Sequence, residues 1–559
     1  MRLRSAWAGL LALAALACGA RESAEEPGGS AWFEERAHER GLDFQHASGH
    51  TEQHWMPEIV GGGGALFDLE DDGDLDAYLV QGGSLASDAP AARLANALFE
   101  NDGAARFRNI SAGSGAEDPH YGMGVACGDA DGDGDTDLLV TNLGRNSLLR
   151  NAGERRFVDA SVASALVEEG WNTSAAFFDY DRDGTLDLFV TRYVEWSKER
   201  ETPCMNPLGQ RDYCSPKSYK APARSLLYHG LGAGSFANVS EASGVAGERG
   251  NGLGVAAGDL DGDGWLDVFV ANDGRPNHLW KNGGDGSFSN VAMRKGCGVD
   301  ANGLPKAGMG IVLSDLDDDL DLDVLVCNLR GESDSYYRND GGLFSDRTAT
   351  AQLAAPSKPF TRFGLAIGDF DQDGWLDLYE CNGRVERPRE AENLDPHDPY
   401  AEPNLLLGGS SSGKFAEVLP RGGTRELLVE TSRAVAQGDV DGDGALDLLV
   451  VNRDGPAHLL LNRAPQRGNW LMLRVREKSG ADALNATLTL ALGARTLRRD
   501  VLTAFGYLAS HDPRVHVGLG TARAVDAVLV RWVDGTSERF GPLEAGRVHE
   551  LRRGQGTPP

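Results

Sequence analysis

From about residue 60 onward the chain repeats one polarity pattern. A run of small and apolar residues gives way to an acidic stretch, and an apolar, β-rich run follows. GMGVACG from Gly122, GLGVAAG from Gly252 and GMGIVLS from Gly308 are runs of the first kind. LLVTN ending at Asn142 and VFVAN ending at Asn272 are runs of the second. A third run comes next, as in NSLLRN from Asn146 and NHLWKN from Asn277, then a glycine-rich turn and a fourth run opened by phenylalanine. Short apolar runs bounded by Gly, Asn and Asp are strand signals. Four short strands per unit, repeated at intervals of tens of residues, predict the blades of a β-propeller.

The acidic stretch fixes the count. Its form, D-x-[DE]-x-D-x-x-x-D, begins at Asp68, Asp129, Asp179, Asp259, Asp315, Asp369 and Asp439. Fourth strands open at Phe107, Phe157, Phe236, Phe288, Phe344 and Phe415, and the seventh unit stops after HLLLN at Asn462. The segment AWFEERAHERGLDF has the missing character, with Phe33 aligned to those phenylalanines. The prediction is an all-β protein: a seven-bladed β-propeller over 31–463, closed by an N-terminal strand so that no sheet edge is left free. Alternating apolar positions at Leu471, Leu473 and Val475, then at Leu488, Leu490 and Leu492, predict a small antiparallel β domain over 468–553, with 554–559 as a tail.

The units resemble FG-GAP or VCBS repeats, the type that builds the integrin α-subunit propeller. The stretch from NWLMLRVREKSG at Asn469 through VHVGLGTARAVDAVLVRWVDGTSERF resembles the ASPIC/UnbV domain. This pairing, and the segment from Tyr193 through Cys204 and DYCSPKSY to LLYHGLGAGSF, is similar to bacterial relatives of cartilage acidic protein. SGADALNATLTL departs from the domain's usual longer polar loop, which leaves any role of that loop open.

The acidic stretch has the 1, 3, 5, 9 spacing of a calcium loop. Alternate carboxylates converge on one hard cation, position seven lends a carbonyl, and glycine at position six permits the turn. The predicted ligands are Asp68, Glu70, Asp72 and Asp76 in the first loop; Asp129, Asp131, Asp133 and Asp137 in the second; and Asp179, Asp181, Asp183 and Asp187 in the third. Asp259, Asp261, Asp263 and Asp267 follow, then Asp315, Asp317, Asp319 and Asp323, then Asp369, Asp371, Asp373 and Asp377, and last Asp439, Asp441, Asp443 and Asp447. Up to seven calcium ions are expected. Magnesium fits less well, because it keeps its waters and a strict octahedron. In the fifth loop Leu320 stands where glycine is expected, at a strain on the order of 1–2 kcal/mol, so that site should be the weakest or empty. Glu70 replaces aspartate in the first loop and should be tolerated.

The 559 residues carry a formal charge of −30, with 84 acidic against 54 basic residues. Such a balance excludes nucleic acid as a partner. The seven tetrads account for 28 of the acidic residues, leaving 56 against 54 basic. Tetrads packed without a cation should repel, so folding and occupancy should be coupled. The first eighteen residues, with two arginines, an apolar run from Ala6 to Ala17 and Ala15-Leu16-Ala17 before Cys18, form an export signal, and 19–30 read as a linker. The signal also resembles that of a bacterial lipoprotein. Two outcomes stay open: a lipid anchor on Cys18, or plain secretion. No later stretch reaches the length of a membrane helix. In an oxidising compartment Cys204 and Cys214 should form a disulfide, while Cys127, Cys327 and Cys381 read as buried thiols and Cys297 has no evident partner.

Strand direction places the long connections near Gln81 to Ala95, Tyr193 to Arg224 and Asn382 to Pro403 on the face away from the acidic loops. They read as binding loops or as neutral insertions. Asn142, Asn272, Asn328, Asn382 and Asn452 at the ends of second strands are expected to cap turns. His46, His50 and His54 are read as ordinary loop histidines in preference to a metal set. Catalytic motifs are nearly absent; GSSSG at Gly409 lies in a turn and not at a strand-to-helix elbow. The leading expectation is an exported, non-enzymatic, calcium-stabilised scaffold at the cell surface, in the periplasm or outside the cell, binding a protein or glycan. The alternatives are a polysaccharide-acting enzyme, with Glu386, Glu390 and Glu392 as its only concentrated acids, or a lectin using Trp196, Tyr213 and Tyr219.

Overall fold

The computed structural model describes residues 29–86, 94–389 and 392–559. The export signal, Cys18, most of the 19–30 linker, part of the blade-one connection and Glu390 lie outside them. The chain is nearly all β, and among the described residues the helices are single turns of three or four residues.

Strand pairings fall into seven antiparallel sets of four. Blade one comprises Gly64–Phe67, Asp76–Leu79, Ala97–Asn101 and Phe107–Asn109. Blade four comprises Gly252–Gly258, Asp267–Asn272, His278–Asn282 and Phe288–Asn290. In blade seven the outer strand is N-terminal: Phe33 pairs with Asn462, Glu34 with Leu461 and Glu35 with Leu460. First strands of successive blades touch, from Gly64–Phe67 round to Ser432–Gly438, which meets Gly64–Phe67 again. These first strands are rich in glycine and alanine because seven of them converge on one axis, where larger side chains would collide. Two sheets run beyond four strands. Asp137–Arg145 of blade two extends to pair with the start of Glu169–Phe178 in blade three, and blade one gains two strands from the C-terminal region.

That C-terminal domain packs on the acidic-loop face. It is antiparallel apart from one pair, Asn469–Arg476 beside Val548–Arg552, for which residues 477–547 supply the long crossover that a parallel pair needs. From it a hairpin, Ala504–Phe505 and Ala509–Ser510, enters the centre of the ring. Ala509 and Ser510 pair in parallel with Gly64 and Ala65 of blade one. Opposite, Gly506 and Ile311 of blade five exchange two backbone hydrogen bonds of 2.6 and 3.0 Å. A Cβ on Gly124 would stand 2.9 Å from Leu508 Cα, and one on Gly63 would stand 2.5 Å from the Leu508 carbonyl oxygen. Glycine inside a strand often marks such a close backbone approach, and here it admits the hairpin.

Tyr507, at the hairpin tip, is fully buried in one cluster with Met123, Leu253, Met309 and Phe363, from four blades, its ring 5.0 Å from that of Phe363. Its hydroxyl donates to the Val60 carbonyl at 2.7 Å. Val60 ends the helical turn Pro57–Val60, which reaches the axis from the opposite face. Arg433 fills the blade-seven position. Its guanidinium donates to the carbonyls of Ile59, Gly383, Ser432 and Arg384 and lies 4.0 Å over the Phe363 ring; burial lowers its pKa to about 9. The axis is thus filled from both ends and is a packed core rather than a passage.

Phe33 is 1% exposed and meets Phe370 and Tyr379 edge-on at 5.6 and 5.9 Å. Replacing it leaves a cavity between the blade-seven closure and blade six. The Phe33→Ala protein is expected to lose about 3–5 kcal/mol, read as a fall in the urea midpoint with the slope unchanged.

Candidate functional site

All seven acidic loops adopt one hydrogen-bond plan. The position-six amide donates to the position-one carboxylate, from Gly73 to Asp68 at 3.0 Å, Gly374 to Asp369 at 2.7 Å and Gly444 to Asp439 at 2.9 Å among others. The position-seven amide donates to position five, as Asp135 does to Asp133 at 3.0 Å and Trp265 to Asp263 at 2.9 Å. Position nine is buried in every loop. One of its oxygens accepts from a backbone amide where strand three ends: Asn151 to Asp137 at 2.7 Å, Asn339 to Asp323 at 2.7 Å, Gly409 to Asp377 at 2.8 Å.

Several of these clusters could hold a metal ion. Asp129, Asp131 and Asp137 bring carboxylate oxygens within 4.8 Å of one another; so do Asp179, Asp181 and Asp187, Asp259, Asp261 and Asp263, and Asp315, Asp317 and Asp319. His229, which the sequence pattern did not single out, joins Asp181 and Asp183 in the third loop. The donor set suits a hard cation. Four buried oxygens, Oδ1 of Asp179, Asp259, Asp261 and Asp369, have no hydrogen-bond partner within the protein, which leaves their lone pairs open to a cation. Burial pushes the position-nine carboxyls up: Asp76, Asp137, Asp187 and Asp323 to about 8 and Asp267 to about 7, with Asp377 and Asp447 raised well above the carboxylate range.

The loops are not the bare anionic clusters expected from sequence, because the protein supplies cations of its own. Strand three reaches into several tetrads: Arg150 to Asp131 at 3.2 Å, Lys281 to Asp261 and Asp263 at 2.5 and 2.7 Å, Arg338 to Asp317 and Asp319. Arg463, just after strand three of blade seven, meets Asp441 and Asp443 at 2.7 and 3.1 Å. From the C-terminal domain Arg474 meets Asp68 at 2.9 Å, Arg495 meets Asp318 at 2.7 Å and Arg531 meets Asp259 at 2.8 Å. The expected repulsion is therefore partly relieved within the chain. Among the described residues the sixth tetrad, Asp369, Asp371, Asp373 and Asp377, has no such ion pair.

A second function of the plan is to join blades. The side-chain amide of the strand-three asparagine crosses to the acidic loop of the preceding blade: Asn101 to Val440, Asn151 to Leu69, Asn282 to Tyr180, Asn339 to Leu260 and Asn462 to Phe370, at 2.8–3.1 Å. Blades three and six have Gly230 and Gly409 at the matching backbone donor and lack the amide.

On the opposite face Asn142, Asn272, Asn328, Asn382 and Asn452 each donate a side-chain amide to a carbonyl of the following connection. The insertions of blades three and six close on each other. Asp212 accepts from the Tyr400 hydroxyl and the Arg387 amide, both at 2.8 Å, and Tyr213 lies between His54 and Tyr400. A Cys204–Cys214 disulfide staples the blade-three insertion; Cys127, Cys297, Cys327 and Cys381 are buried and free. His46, His50 and His54 have separate partners, namely the Asp454 amide, the Asp454 carboxylate and the Glu52 carbonyl. Trp196 and Tyr219 turn inward onto Glu201, and Glu392 is engaged by Arg330 at 3.3 Å. The Ser410 hydroxyl of the GSSSG turn meets the Ser412 hydroxyl and the Lys414 carbonyl.

Leu320 takes the left-handed conformation required of position six, φ +75°, while its carbonyl accepts from Arg498 at 3.0 Å. Leu320→Gly removes the side-chain strain but adds freedom to the unfolded chain. A net gain of about 0.5–1 kcal/mol is expected, seen as a higher thermal midpoint in the presence of chelator.

Family comparison agrees with this geometry. The FG-GAP-like repeat family matches residues 68–140, 129–190, 221–270, 259–326 and 315–380, and the ASPIC and UnbV family matches 476–558. Cartilage acidic protein 1 of Xenopus tropicalis is 29% identical over 312 residues, covering 52% of this chain and 44% of that protein. The Homo sapiens protein of the same name is 28% identical over 320 residues, covering 56% and 45%. The chain thus spans less than half the length of these relatives. Among solved structures, the BP39L lectin of Burkholderia pseudomallei aligns at 13% identity with a TM-score of 0.43, covering 73% of this chain and 97% of that one. An Agrocybe aegerita lectin aligns at 16% with a TM-score of 0.39, covering 67% and 90%. With five repeat matches together spanning half its length and the second domain behind them, this chain belongs to the FG-GAP-like repeat family and carries a C-terminal ASPIC and UnbV domain.

Proposed function

We propose that the protein is an exported, non-enzymatic binding scaffold whose acidic loops hold calcium and whose opposite face receives a protein or glycan. One observation carries the reading: the C-terminal domain covers the acidic-loop face and fills the axis, while the face bearing the blade-three and blade-six insertions is left uncovered by it. Ligands of propellers bind at faces or axes, and here the axis is packed. Loops held on a rigid scaffold are where binding resides. Asp369, Asp371, Asp373 and Asp377, with the unmet oxygen of Asp369 and, among the described residues, no direct ion pair, are the strongest of the calcium sets; the strained fifth loop is the weakest. A bound cation would supply the positive charge that lets these buried carboxylates stay ionised. Among the described residues no helix is long and apolar enough to cross a membrane. Attachment through Cys18 remains the proposed route to a surface.

Thermal unfolding with calcium and with chelator tests the metal. Each site at a hundredfold excess of calcium over its Kd adds about 2.7 kcal/mol, so the midpoint should rise clearly with calcium. An unchanged midpoint would remove calcium from the reading. Capture of a ligand on a combined protein and glycan array, lost when the insertion of blade three or six is shortened, tests the surface. Turnover of an arrayed glycan would replace the scaffold with an enzyme.

A further inference from the structure

Where blades five and six meet, the loop face opens into a cleft of about 760 Å³. Asn206, Pro207 and Leu208 of the blade-three insertion close its third side. In a chain of formal charge −30 the lining runs the other way, with Arg330, Lys358, Arg384, Arg387 and Arg389 against Glu386 and Glu392. Glu392 is already held by Arg330 at 3.3 Å.

Arg384 is 8% exposed. Its Nε binds Glu402 at 3.1 Å and one terminal nitrogen donates to the Glu392 carbonyl at 3.2 Å. The other, Nη1, is buried with no hydrogen-bond partner; the nearest carboxylate, on Glu392, is 3.9 Å away. A guanidinium held rigid by two bonds, with its buried Nη1 turned to the Glu392 carboxylate at 3.9 Å, fixes positive charge in the cleft wall that favours a carboxylate ligand. Lys358 and Arg389 stand exposed at the rim, and among the described residues neither has a carboxylate partner.

The remaining wall is aliphatic, formed by Pro207, Leu208, Leu329, Ala355, Val385 and Pro388, with Leu208 68% exposed. Among the described residues no aromatic ring lines the cleft, so they offer no flat apolar surface on which a sugar ring stacks. Cations beside aliphatic walls match acidic side chains beside aliphatic ones.

We propose that this cleft binds an acidic peptide segment of a partner protein, its carboxylates meeting Arg384, Lys358 and Arg389 and its apolar side chains meeting Leu208 and Leu329. The proposal rests on the loop face being the binding surface and names the class of ligand that the face takes.

The test uses the full mature protein loaded with calcium. It is offered short synthetic peptides combining Asp or Glu with Leu or Val, the same peptides with Asn or Gln, and oligogalacturonate. Binding of the acidic peptides alone is expected, weakening as salt rises. Lys358→Glu combined with Arg389→Glu changes two exposed side chains and should weaken binding by about tenfold or more; Arg384→Gln should weaken it as well, with the unfolding midpoint recorded for each variant. Equal affinity in the double variant overturns the proposal, as does retention of oligogalacturonate without the peptides. A neutral ligand captured on the array and lost on shortening an insertion would overturn the cleft while the scaffold stands. Capture of nothing by the array or the peptides would remove both.

Discussion

A carboxylate taken out of water costs several kcal/mol unless its oxygens are met, and this ring buries seven of them at equivalent places. Each closes its loop by accepting a backbone amide from the end of strand three, as Asp137 does from Asn151 and Asp447 from Asn462. The loop cannot move without unpairing that oxygen, so the first three strands of a blade are fixed relative to one another. The same geometry leaves other loop oxygens facing inward with nothing to bind. Anionic loops, inward lone pairs and rigid blades are therefore one design, and the cation question is inseparable from the fold.

Concentrating negative charge on one face creates a need that the C-terminal domain meets. Twelve arginines lie between residues 474 and 553 against nine acidic residues, and six of them, Arg474, Arg476, Arg495, Arg498, Arg514 and Arg531, hydrogen-bond acidic loops of the ring. The hairpin that carries Tyr507 then joins the domain to the ring by backbone pairing and by burial. Asymmetry follows: one face is neutralised and covered, and the other carries the insertions.

Much of this was legible from residues alone. The seven cassettes gave the blades because a buried position-nine aspartate permits no drift in spacing, and Phe33 revealed the closing strand because a blade without its fourth strand leaves an apolar edge. The turn-capping role of Asn142 and its equivalents could be read from their position. The hairpin was not legible, since LTAFGYLAS reads as another apolar strand of its own domain and nothing local says that it leaves. Its trace lay elsewhere, in Gly63 and Gly124, whose lack of a side chain has meaning only with Leu508 in place. Arg474 and Arg476 flank Val475 as solvent-facing residues of any strand would; their partners at Asp68 and Asp71 are some 400 residues away, beyond the reach of periodicity. The strand-three asparagines were visible as a motif, but their bonds cross between blades.

Those asparagines join five of the seven blade junctions, and the two omissions are not adjacent. Counted by these amides alone, the ring divides into a four-blade arc, six through two, and a three-blade arc, three through five; between five and six, Arg362 of blade six meets Asp334 of blade five at 2.8 Å instead. At one joint the extended strand of blade two spans the gap. The hairpin bolts both arcs together, holding blade one by Ala509 and blade five by Gly506. The other joint lies beneath the basic cleft, whose walls belong to opposite arcs, so anything gripping both walls also acts as a brace across the ring.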